Sequence, residues 1–153
     1  MKKVFLVIAL LVCFYAAEAQ SYEVKVITSV ESIISSGLGR SRIISTNEDR
    51  EYKDFTSVRT DGKTEKDKRN KSSRSDIRVK NFEETKLLNF FNLGGIRFQN
   101  IAANDAVITS KINTMLEEGW DLAFVTSAVE SDAGKGDGNG IFITRYIFKR
   151  PKQ

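Results

Sequence analysis

The stretch Ile112-Asn-Thr-Met-Leu-Glu-Glu-Gly119-Trp120-Asp121-Leu122-Ala-Phe-Val125 decides how this chain folds. Upstream of it, Ile108, Ile112 and Met115 recur at spacings of four and three, flanked by Val107 and Leu116, which is the apolar stripe of a surface helix. Glu118 ends that helix and Gly119 supplies the left-handed residue beyond it, so Trp120 is predicted to fold back onto Met115, the apolar contact that accompanies a Schellman ending. Asn104 reads as the N-cap, with Asp105 in the first turn where the helix dipole favours negative charge. The expected helix therefore covers residues 104–118, and Gly119, Trp120, Met115 and Asn104 are its structural residues.

Strands are expected on either side. Leu122 to Val129 is almost wholly apolar, and Ile141 to Lys149 is rich in β-branched and aromatic residues. The loop Asp132 to Gly140, with four glycines, joins them as a hairpin. At the other end of the chain, Tyr22 to Val30 alternates Tyr22, Val24, Val26 and Thr28 with Glu23, Lys25, Ile27 and Ser29, the pattern of a half-buried strand. The turn Ser35-Ser36-Gly37-Leu38-Gly39 leads to a second strand from Arg40 to Ser45. A short strand is expected at Phe55 to Val58, and two more, or one bulged strand, at Leu87 to Leu93 and Ile96 to Ile101 around Gly94-Gly95. The fold class is α+β: an antiparallel sheet of five or six strands with one main helix packed on one face.

The segment from Asp61 to Lys80 breaks this pattern. It holds Lys63, Lys66, Lys68, Arg69, Lys71, Arg74, Arg78 and Lys80 against four acidic residues, with only Ile77 and Val79 apolar. Such a stretch buries too little surface to offset its ordering entropy, so residues 61–80, and Gly62 to Ser75 above all, read as a mobile charged loop within a single domain, residues 20–153.

The N-terminus has the layout of a secretory signal: Lys2-Lys3, an uncharged run from Val4 to Tyr15, then Ala17-Glu18-Ala19 before Gln20. The run is shorter than the ~20 residues that span a bilayer, so cleavage after residue 19 and export to the periplasm or medium are expected, with no stable membrane anchor afterwards. Cys13, preceded by Val12 and followed by Phe14, reads as an apolar signal residue and not as a lipidation site. Loss of residues 1–19 takes the charge from +4 to +3, too balanced for a nucleic-acid binder.

The expected mature chain has neither His nor Cys. That excludes a Ser-His-Asp or Cys-His nucleophile, a zinc site of nitrogen and sulfur ligands, and any disulfide. Asp132, Asp137 and Asn139 are the candidate metal ligands, for calcium. The twelfth positions counted from Asp132 and Asp137 are Ile143 and Phe148, where an EF-hand needs Glu, so the loop reads as a plain hairpin without metal or cofactor. Lys135 after Gly134 lacks the Ser or Thr of a phosphate loop, and Asn70-Lys71-Ser72 carries no function in a bacterial-type chain. The pairs Glu83-Glu84 and Glu117-Glu118 are neighbours on solvated surface and lack the cleft of a glycosidase.

With Tyr146-Ile-Phe-Lys149-Arg150-Pro151 at the end and Tyr22-Glu23-Val24-Lys25-Val26 at the start, the opening stretch resembles a family of small bacterial domains of unknown function. In that family the helix ends in Glu-Gly-Trp-Glu-Leu, and here Asp121 stands for the second Glu. The resemblance covers residues 22–30 and 104–151 and implies a β…α-β-β layout with no known activity. Residues 35–100 depart from it and resemble an elaboration of Bacteroidetes-type envelope proteins. The expected function is a non-catalytic module binding a protein or envelope component; the alternatives are a carboxylate hydrolase of glycans and a self-associating structural protein. A hydrolase requires a buried carboxylate of raised pKa in a cleft, a binding module an exposed apolar patch, and a self-associating protein an unprotected edge strand.

Overall fold

The computed structural model describes residues 21–32, 41–59, 69–92, 94–130 and 140–152. The signal segment, the turn at residues 35–39, residues 61–68 of the charged loop, and the candidate ligands Asp132, Asp137 and Asn139 lie outside them. In chain order the elements are β1 (Tyr22–Ser32), β2 (Arg42–Thr46), a single 3-10 turn (Tyr52–Phe55), α1 (Arg74–Ile77), β3 (Phe82–Lys86), β4 (Phe91–Asn92), β5 (Gly95–Ile96), α2 (Phe98–Glu117), β6 (Asp121–Glu130) and β7 (Ile141–Pro151). The fold is α+β. Five strands form one antiparallel sheet in the order β3-β2-β1-β7-β6, and α2 packs on one face.

Registers fix which side chains share that face. Ile27 lies opposite Tyr146 on one side and Ser45 on the other, and Ser29 lies opposite Thr144 and Ile43. Partners opposite in an antiparallel ladder point the same way, so Ile27, Ile43, Tyr146 and Phe148 meet the helix residues Val107, Ile108, Ile112 and Met115. Ile27, Ile43, Leu87, Met115, Trp120 and Phe148 make up the core. The opposite face carries Val24, Val26, Ile44, Phe124, Ile143 and Ile147. Val24 is 62% and Phe124 61% exposed.

Several local expectations are corrected. The helix begins at Phe98, six residues before Asn104, and its N-cap is Arg97, which makes no side-chain cap. Ile101 and Ala102-Ala103 simply extend the helical run backward, so Ile96, the second residue of β5, is the one strand residue between Ile96 and Ile101. Asn104 is interior and 1% exposed. Its side chain does what a capping Asn does, satisfying orphan backbone groups, but for another segment: Oδ1 accepts the Leu88 N–H (2.7 Å), and Nδ2 donates to the Leu88 carbonyl (2.8 Å) and to Glu31 Oε1 (2.9 Å).

The strand expected at Phe55–Val58 is instead the 3-10 turn Tyr52–Phe55, entered through Glu51, whose carboxylate accepts the Lys53 N–H. The described end of the charged segment contains α1, held by a capping box in which Ser73 and Asp76 satisfy each other's backbone N–H. Hydrogen bonds from the backbone and hydroxyl of Ser73 hold the Asp76 carboxyl below its usual range.

At the far end of α2 the geometry is that of a Schellman motif. Gly119 has φ +83°, its N–H donates to the Leu116 carbonyl (3.0 Å), and the Trp120 N–H donates to the Met115 carbonyl (3.0 Å). Trp120 is 7% exposed and belongs to the same apolar cluster as Met115.

Candidate binding groove

β1 is eleven residues long, and β7 pairs with it from Tyr22 to Ser32. β2 pairs with it only from Ile27 to Val30, because β2 ends at Thr46 and the chain turns away through Asn47 and Glu48. Glu23 to Val26 consequently have a strand neighbour on one side only among the described residues. On the other side lies a groove of about 640 Å³, bordered by Glu23 to Val26, Thr46 to Arg50, Val79 and Trp120.

The far wall is fixed by Glu48. Its carboxylate accepts the backbone N–H groups of Asn81 (2.6 Å) and Lys80 (3.0 Å) and pairs with Arg50, whose guanidinium also donates to the Arg78 carbonyl (3.0 Å). These bonds, the one from Asn81 foremost, hold the Glu48 carboxyl below its usual range. The Asn47 N–H donates to the Asn81 carbonyl (3.1 Å), so the turn after β2 and the segment before β3 form one wall held off β1.

Trp120 also borders the groove. The Arg150 guanidinium stacks 4.3 Å from its ring centre, pairs with Glu23 and donates to the Glu118 carbonyl (3.3 Å). The groove is thus lined by the charged Glu23, Lys25, Asp49 and Arg50 together with the apolar Val24, Val26 and Val79. The sequence signals for this site were partial. Val24 and Val26 were legible as one face of β1, whereas Glu48, Arg50 and Val79 stood in stretches without periodicity.

The remaining ionisable groups stand apart from the groove. Glu31 is pushed above the usual carboxylate range by burial, with the Asp105 charge adding to the effect and the Asn104 bond opposing it. Burial also raises the Tyr146 hydroxyl. Glu83 and Glu84, neighbours in sequence, point to opposite faces of β3, where Lys111 (3.0 Å) and Arg42 (2.6 Å) hold them. Among the described residues, no three Asp, Glu, His or Cys side chains converge to hold a metal ion. No helix there is long and apolar enough to cross a membrane. Comparison with protein-family models, curated proteins and solved structures returns no match to this chain.

Proposed function

We propose that the protein is an exported, non-catalytic binding module, a member of the domain family it resembles, that takes an extended polypeptide segment as an added strand along Glu23–Val26. The carrying observation is the half-paired β1, which borders a groove lined by both apolar and charged residues. An added strand draws affinity from main-chain hydrogen bonds and specificity from alternate side chains. Val24 and Val26 would receive the apolar positions, and the mixed charges of Glu23, Lys25, Asp49 and Arg50 favour a ligand carrying both signs. The hydrolase alternative has less support: among the described residues the one carboxylate with a burial-raised pKa, Glu31, is hydrogen-bonded to the buried Asn104 and does not border the groove.

Random peptides displayed on phage and selected on the protein test this reading. Enriched sequences are expected to alternate apolar and polar residues, and Val24→Glu or Val26→Glu is expected to abolish their capture while leaving the thermal transition in place. Capture that survives both substitutions would overturn the assignment of the groove. An intact mass beginning at Gln20 for the protein recovered from an exporting host tests the export half of the proposal.

A further inference from the structure

The sheet ends in two unlike edges. β3 reads Phe82-Glu83-Glu84-Thr85-Lys86, short and charged, with both carboxylates held in ion pairs. Charges along an edge strand oppose pairing with another sheet. β6, at the other edge, runs for ten residues, and from Leu122 to Val129 it carries neither a charge nor a proline.

Every residue of β6 is exposed. Its register with β7, bulged between Leu122 and Phe124, places Leu122, Val125 and Val129 on the helix side of the sheet and Phe124 on the other. These apolar side chains stand 39 to 61% exposed on both faces of one strand. A long, apolar, uncharged edge is a ready template for another strand.

We propose that β6 is the interface of a symmetric homodimer, in which the β6 strands of two copies run antiparallel about a two-fold axis and join the two sheets into one. The strand's own sequence selects a second copy as the occupant. Opposed residues of an antiparallel pair share a face, so beyond the bulge only registers that join like faces are open. Centred on Thr126, the pairing sets Thr126 against its own copy, Val125 against Ser127, and Phe124 against Ala128. Threonines meet, a large side chain meets a small one, and no carboxylate meets another, because Asp121 and Glu130 lie outside the paired centre. The contact is isologous and closes on itself, and the charged β3 edge keeps the assembly from extending into a fibre.

Sedimentation of the full chain, expressed with its own N-terminal segment, tests the proposal over a wide concentration range. The parent is expected to move to twice the monomer mass as concentration rises. Thr126→Lys sets two ammonium groups against each other at the axis and Thr126→Glu two carboxylates. Each alone is expected to raise the dimer dissociation constant at least about tenfold, and an equimolar mixture to restore the dimer. Thr85→Lys on β3 is expected to leave it intact.

Thr126→Cys gives an independent readout. Facing thiols at the axis fall within disulfide reach and should yield a reducible covalent dimer, which Thr85→Cys should not. A parent that stays monomeric throughout, an open-ended polymer, or Thr126→Lys and Thr126→Glu proteins that each dimerise like the parent would overturn the inference.

Discussion

Asn104 separates the sequence-level view of α2 from the structural one. As an N-cap it would be replaceable by Ser or Asp, which cap equally well, and Asn104→Ala would cost about 1 kcal/mol. In the structure its amide clamps both backbone groups of Leu88 and the Glu31 carboxyl, three hydrogen bonds made from a fully buried position. At about 1 kcal/mol net for each bond, Asn104→Ala should lose on the order of 3 kcal/mol.

Ser is too short to span to Leu88 and should lose a similar amount. Asp keeps the acceptor for the Leu88 N–H, surrenders both donated bonds, and sets a second carboxylate against Glu31, whose own charge burial already disfavours. Its loss should therefore match that of Ala near neutral pH and shrink as the medium is acidified. Urea unfolding followed by far-UV circular dichroism, with the slope unchanged across variants, reads these differences. Ser and Asp variants within about 0.5 kcal/mol of the parent would refute the clamp and restore the cap.

Other outcomes follow from single features. A Cβ at Gly119 meets nothing within 4 Å, so Gly119→Ala should cost only the left-handed backbone term, about 1 kcal/mol in chemical denaturation. Trp120→Ala should lose about 3–5 kcal/mol by emptying the indole's place beside Met115. The Ser45 hydroxyl is buried without a hydrogen-bond partner, so Ser45→Ala should stabilise by about 1 kcal/mol, a few degrees in calorimetry. Glu31, with its folded pKa raised, favours folding when protonated, and that contribution is lost as pH rises through the folded value. Glu31→Gln keeps an acceptor for Asn104 and should raise the melting temperature at neutral pH, the gain vanishing below the ordinary carboxylate range.

The parts of the fold that were legible in the sequence rest on periodicity or on a local conformational demand. β1 and β7 show the strand pattern, and Gly119 with Trp120 marks the end of α2 because a left-handed residue and its apolar partner leave a two-residue signature. The start of α2 was not legible, since an Asn used in the core and an Asn used as a cap look alike before their partners are known. β3 was missed because Phe82-Glu83-Glu84-Thr85-Lys86 is exposed throughout, and an edge strand with little to bury carries no apolar alternation. Nothing in the apolar run of β6 distinguishes a buried central strand from an edge; only the strand order does. The groove depends on where β2 parts from β1 and on Glu48 gathering the Lys80 and Asn81 amides from more than thirty residues away, contacts that no short-range pattern encodes.

Amide hydrogen exchange of the protein, with and without a peptide enriched on it from the displayed library, tests the binding groove most directly. Alternate amides between Glu23 and Val26 face no strand among the described residues and should exchange quickly in the free protein, then slow on addition of the peptide, while those of β6 remain as they were. Protection confined to other strands, unchanged exchange along β1 at saturating peptide, or cleavage of the peptide would contradict the account.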